Sequence, residues 1–119
     1  MNKKLGAIHI HTEQSLNDSS MTIPECVKQV KELGMEVLGL TQHGNVLGMD
    51  TAIAECNAQG IQLMPGCEVY FSDDETKPRH LILLALSFEG YQAICRIVTE
   101  SNRNMINGRP VVTLSLIHI

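Results

Sequence analysis

The chain has 119 residues, 44% of them apolar, enough for one packed core and too many for a disordered tail. Nine Lys and Arg against thirteen Asp and Glu leave a net charge of −4, so it lacks the basic field that holds a nucleic-acid backbone. No apolar run approaches the roughly 20 residues that cross a bilayer, and the start carries no signal-peptide pattern, which excludes a membrane partner and predicts a cytoplasmic protein.

Residues 6–11 read as a short strand with Ile8 and Ile10 on one side and His9 and His11 on the other, since side chains alternate along a strand. The polar stretch 12–20 is a loop. Thr22-Ile-Pro-Glu25 has the form of a capping box, with Pro24 tolerated in the first turn. The helix it opens has an apolar stripe of Ile23, Val27, Val30 and Leu33 and a glycine stop at Gly34. Residues 37–41 are apolar on both faces apart from Gly39, as a covered parallel strand should be.

After the loop 42–47, residues 48–59 form a second helix with Met49, Ala52, Ile53 and Cys56 inside, closed by Gly60. A third strand over 61–71 is expected to be interrupted at Pro65, and 72–78 (SDDETKP) to be a charged, solvated turn. A fourth strand spans 80–86, preceded by a turn and so a candidate for antiparallel pairing. Tyr91, Ile94, Cys95 and Val98 set out a third helix from Phe88 to about Asn102. The four cysteines, Cys26, Cys56, Cys67 and Cys95, form no CxxC pair and lie in apolar segments, which predicts reduced core thiols.

Strands alternating with helices in this rhythm indicate parallel βα units, in an open sheet or a barrel. Three helices and four strands close neither, because a barrel of this kind takes roughly 250 residues. The expectation is therefore an unfinished core with exposed strand edges and marginal stability for the isolated chain.

The chemistry-bearing residues share a positional pattern. His9 and His11 end the first strand, His43 follows the second, Glu68 lies in the third and His80 starts the fourth. In barrel-type α/β folds the C-terminal ends of several strands converge on one mouth. Two imidazoles two residues apart on a strand face the same way, about 6 to 7 Å apart at Cα, and can share a metal. Mixed nitrogen and oxygen donors suit Zn²⁺, Mn²⁺ or Fe²⁺, and paired metals about 3.5 to 4 Å apart can activate water against a phosphate. Taken alone, an HxH is weak evidence for a metal, since surface or core histidines are the commoner reading. Glu68, between Cys67 and Val69 in an apolar strand, is more telling, because a buried carboxylate is costly unless paired or metal-bound. Asp18, in a polar loop, is by default a turn residue. Arg79 is a candidate phosphate contact, set against the ordinary reading of a solvated surface arginine.

The segments IHIHTEQSLNDSS, LGLTQHGNVLG, GIQLMPGCEVYF and RHLILLAL, followed by GYQAICRIV, resemble in order and spacing the first three motifs of the polymerase-and-histidinol-phosphatase (PHP) superfamily, in the form found at the N-terminus of bacterial DNA polymerase III alpha subunits. The resemblance covers about residues 5 to 104. It implies an α/β fold, the N-terminal part of a distorted, TIM-barrel-like (β/α)7 barrel whose mouth holds up to three divalent metals, Zn²⁺ or Mn²⁺ with Mg²⁺ and Fe²⁺ as further candidates. It also implies hydrolysis of a phosphoester, in polymerases as a 3′ to 5′ exonuclease. Residue by residue, His9 and His11 match the first-motif ligands, Asp18 the carboxylate of the following loop, His43 the second-motif histidine, Glu68 the bridging acid and His80 the histidine of the next strand.

In two places the sequence departs from that pattern. Gln42 stands where the family has an aspartate before the second-motif histidine, and an amide lacks the charge that orients and increases the basicity of a metal-bound imidazole. The last motif, with its remaining ligands, is absent. Residues 1–112 are read as the N-terminal portion of the domain and 113–119 (TLSLIHI) as a discordant tail resembling a translated adaptor, so that His118 is left out of the site. The fragment alone is then expected to be inactive. DNA and other replisome subunits would be partners through the full-length polymerase. Two alternatives stand beside this reading: a catalytically inactive scaffold that stabilises the polymerase or docks a proofreading partner, and a standalone phosphatase of the histidinol-phosphatase type.

Overall fold

The computed structural model describes residues 4–73 and 77–117. Strand β1 (Gly6–Ile10) leads into helix α1 (Ile23–Glu32), β2 (Val37–Leu40), α2 (Met49–Gln59), β3 (Gln62–Phe71) and β4 (Arg79–Leu84). Helix α3 (Phe88–Arg103), the hairpin β5 (Met105–Ile106) and β6 (Arg109–Val112), and the short helix α4 (Leu114–Ile117) follow. The sheet runs β1-β2-β3-β6-β5, with β4 paired to β3 off that path. Neighbours β1, β2, β3 and β6 are parallel, whereas β4 and β5 run antiparallel to their partners.

The capping box at the start of α1 forms as its sequence requires. Thr22 accepts from the Glu25 N–H, and the Glu25 carboxylate accepts from the Thr22 N–H at 2.9 Å. At the other end Met35 N donates to Val30 O across left-handed Gly34, a Schellman closure. That closure corrects the expected stripe. Leu33 is the C-cap and 61% exposed, and Cys26 takes the inward place instead. On α2 the buried positions are Met49, Ala52 and Cys56, while Ile53, one residue to the side, is 46% exposed.

Pro65 does not interrupt β3. It is the last residue of β3 in register with β2, opposite Leu40, and the antiparallel ladder with β4 begins at the next residue, Gly66. A proline is tolerated there because its carbonyl still accepts, from Ala85 N at 2.7 Å, and its missing N–H precedes the β4 ladder, which begins at Gly66. β4 is antiparallel and ends at Leu84, short of the expected Leu86, which is exposed. Part of the charged turn, including Asp74 and Glu75, and His118 lie outside the described residues. The hairpin β5–β6 was not anticipated. Its Asn107-Gly108 turn takes positive φ at both central residues, as a type I′ turn demands.

Two hydrophobic clusters flank the sheet. The first joins α1, α2 and β2 through Ile23, Val27, Val30, Leu38, Leu40 and Cys56; the second joins α3, β3 and β6 through Cys67, Val69, Ile94 and Val112. Leu116 and Ile117 of α4 pack on the second. The cysteines are free, with Cys26, Cys56 and Cys67 buried. Burial pushes the Cys67 thiol up to about 12 and the Cys56 thiol up to about 11, so both are inert core groups.

Candidate metal centre

The site is assembled from the ends of β1 and β2 and from the middle of the β3–β4 pair. Register against β2 shifts between Ala7 and Ile10, where β1 carries one residue more than its partner. Room for this bulge comes from Gly39 opposite, where a Cβ would lie 2.6 Å from Ile8 Cα and 2.8 Å from its carbonyl oxygen. The bulge delivers His9 and His11 side by side, with Nε2 atoms 3.2 Å apart and ring centroids 5.2 Å apart.

Past β2 the chain continues alongside β3 without being a strand. Glu68 N donates to Gln42 O at 3.0 Å and Gly44 N to Glu68 O at 2.8 Å, a parallel bridge that sets His43 beside Glu68. Across β3, His80 pairs with Tyr70, which lies two residues from Glu68 and so on the same face.

Glu68, 3% exposed, is the centre of the arrangement. Its Oε1 lies 3.0 Å from His9 Nε2 and 3.6 Å from His80 Nδ1, and its Oε2 lies 3.3 Å from His11 Nε2 and 3.0 Å from His43 Nδ1. Asp18 Oδ2 approaches His43 Nε2 to 3.1 Å and His11 Nδ1 to 3.6 Å. The six residues read from the sequence as metal ligands therefore meet in one place. Two groups of three, His9, His11 and Glu68, and His43, Glu68 and His80, bring their ligand atoms within 4.8 Å of one another and share the glutamate. Glu68 Oε2 and His43 Nδ1, although close, are not directed at each other as a hydrogen bond, and both are buried without a hydrogen-bond partner. An unsatisfied buried carboxylate oxygen is costly, and a cation between such atoms relieves it, so these residues fit a divalent metal. Burial also holds the His11 imidazole below its ordinary range, outweighing the nearby Glu68 carboxylate, which favours the neutral form that ligates.

Gln42 is fully buried, and the hydrogen bonds of its side chain go to Thr12 and Ser15, in the loop after β1, rather than to an imidazole. Ser15 in turn meets His11 Nδ1 at 3.0 Å. Arg79 is not brought to the cluster. It pairs opposite Phe71, on the other face from the Tyr70–His80 pair, and lines a hollow with Ser72, Asp73 and Lys77. Sequence reasoning missed three neighbours of the site. Tyr70 stacks on His43 with centroids 5.4 Å apart, and Arg109 lies over the Tyr70 ring at 5.5 Å. Ser15 is the third. Period two from Glu68 points to Tyr70; no periodicity reaches the loop residue Ser15 or the distant Arg109.

A protein described as an amidohydrolase from Chromobacterium violaceum has a similar fold, with a TM-score of 0.67 at 22% identity, over 83% of this chain and 34% of that one. A protein described as a metal-dependent phosphoesterase from Bifidobacterium adolescentis gives 0.62 at 22% identity, over 84% and 35%. In sequence, the chain is 40% identical over 98 residues to a DNA polymerase III subunit alpha of Helicobacter pylori, and 35% identical over 111 residues to that of Treponema pallidum. These alignments cover 76% and 85% of this chain but 8% and 9% of the relatives' lengths. The family model for the PHP domain matches residues 7–118, spanning the strands and loops that carry all six residues of the cluster, and the chain belongs to the PHP domain family.

Proposed function

We propose that this chain is PHP-domain sequence of a replicative DNA polymerase III alpha subunit, and that His9, His11, Asp18, His43, Glu68 and His80 hold divalent metals, Zn²⁺ or Mn²⁺, for phosphoester hydrolysis of the 3′ to 5′ exonuclease type. The observation that carries the reading is the buried Glu68 shared by two three-residue groups, because a carboxylate with imidazoles on both oxygens suits a bridging role between neighbouring cations. When bound, the metals would lower the pKa of a water and polarise a phosphoryl oxygen. The chain's own residues hold the donors in place, favour the neutral His11 ring through burial and shield the glutamate from solvent. The polymerase relatives support a cytoplasmic setting in which DNA and replisome subunits are met through the rest of a much longer protein.

Titrating metal-stripped protein with Mn²⁺ or Zn²⁺, with bound metal counted by mass spectrometry, tests the ligand set. Glu68→Gln is expected to weaken binding at both groups by at least about 100-fold, or roughly 2.7 kcal/mol. Stoichiometric metal in the variant at unchanged affinity, or none in the parent, refutes the assignment.

One observation favours a second reading, a metal-holding scaffold without catalysis: Gln42 puts an amide where the family has an acid. If the intact polymerase subunit lacks nuclease activity and its Gln42→Asp variant gains it, the scaffold reading holds.

A further inference from the structure

Ser15 lies in the loop after β1, fully buried, and its hydroxyl oxygen has three neighbours. His43 N is 2.9 Å away, Gln42 Oε1 2.8 Å and His11 Nδ1 3.0 Å. The direction of each hydrogen bond can be deduced. Thr12 N–H can only donate, and it meets the Gln42 side chain at 2.9 Å, so the atom it meets is the amide oxygen. That oxygen only accepts, so the single hydroxyl hydrogen of Ser15 is committed to it. The two Ser15 lone pairs must then receive the other neighbours, the His43 backbone N–H and a proton on His11 Nδ1. The far nitrogen, His11 Nε2, keeps its lone pair and faces Glu68 Oε2 at 3.3 Å.

We propose that Ser15, itself aligned by Gln42, is a positioning residue that fixes His11 as the Nδ1–H tautomer and so presents Nε2 as a metal-binding lone pair. The role in metal binding rests on the function proposed above; the proton assignment does not. The relay accounts for an amide at position 42. Where a carboxylate would accept directly from a ligating imidazole, here the acceptor acts through one more hydroxyl, and a neutral oxygen suffices to orient it. The other end of the Gln42 amide donates to Thr12 Oγ1, so the buried side chain has partners for both its polar atoms. Asp18 Oδ2, 3.6 Å from the same His11 nitrogen, favours a proton there as well.

Nitrogen-15 NMR of the labelled, metal-free protein at alkaline pH reads the tautomer directly. His11 is expected to show a pyrrole-type Nδ1 and a pyridine-type Nε2, and the reverse assignment overturns the proposal. Ser15→Ala is expected to raise the Nε2–H population and to weaken Mn²⁺ or Zn²⁺ binding by about 10- to 100-fold. If that variant does not fold, Gln42→Met and Gln42→Glu decide. The first removes the acceptor and frees the serine hydrogen for His11, so the tautomer should shift; the second keeps the acceptor and should leave it unchanged. An Nδ1–H His11 that persists equally through Ser15→Ala and Gln42→Met overturns the role of Ser15. Wild-type protein with the expected tautomer and no affinity for metal refutes the metal reading and upholds the proton assignment.

Discussion

Replacing Gly39 by alanine tests whether the bulge in β1 is what places the two histidines. The added Cβ would stand 2.6 Å from Ile8 Cα, against an ordinary contact distance of at least 3.4 Å, a shortfall of 0.8 Å. The obstructing atoms belong to backbone, which cannot rotate aside as a side-chain tip can, so β1 must move away from β2 or lose its bulge. Overpacking of this kind costs about 1 to 3 kcal/mol. Because the displaced residue is the immediate neighbour of His9, metal affinity is expected to fall by at least about tenfold as well. Gly90→Ala is the control. In the first turn of α3 its Cβ would find nothing nearer than 3.6 Å, and the same exchange there is expected to stabilise by about 0.4 to 1 kcal/mol through the unfolded chain. Urea unfolding of the metal-free proteins by linear extrapolation, followed by metal titration, measures both effects. The reasoning is refuted if Gly39→Ala stays within about 0.5 kcal/mol of the parent and binds metal equally well.

Thr22→Ala, which removes the N-cap of α1, is expected to cost about 1 kcal/mol in the same unfolding assay, with Thr22→Ser close to neutral. Acidification acts through His11. Its folded pKa lies below the ordinary value of 6.5 because of burial, so the folded state disfavours the charged ring. The stability this group contributes is complete above that value and is lost as the pH falls from it toward the lower folded pKa, levelling off beneath. A His11→Gln variant should flatten that part of the metal-free stability profile; an unchanged slope would show that another group is responsible.

Much of the architecture was legible because it depends on short-range rules. The Thr22 to Glu25 capping box, the glycine stops at Gly34 and Gly60 and the alternation of β and α segments each act within a few residues, and each forms as read. What escaped depends on partners distant in sequence. Pro65 reads as a strand breaker until it is known that the ladder with β2 ends at that residue and the ladder with β4 begins at the next. Leu33 and Ile53 satisfy helical spacing but fall at a helix end and at the edge of a buried face, and spacing alone does not fix how wide that face is. The hairpin after α3 had a local signal in Asn107-Gly108, which was overlooked. In the site, the His and Glu positions were readable because strand ends converge in folds of this class. Arg79, a single residue of strand alternation from His80, lies on the opposite face, in keeping with the solvated-arginine reading set against the phosphate contact. Ser15 was unreadable because its importance lies in three hydrogen bonds to residues of two different loops.

The way β3 spans both hydrophobic clusters has a mechanical consequence. Within the one sheet, the first half of that strand packs with α1 and α2 and the second with α3, and the two hydrophobic clusters meet along it and at Tyr91, which packs on both. His9, His11, Asp18 and His43 come from one side of this seam, His80 comes from the other, and Glu68 sits on the seam itself. A cation held by all of them would be a clasp between two halves that could otherwise loosen separately. Amide hydrogens in α1 and in α3, far from any ligand atom, would then exchange more slowly together as metal is added, because neither half could open without first releasing the ion.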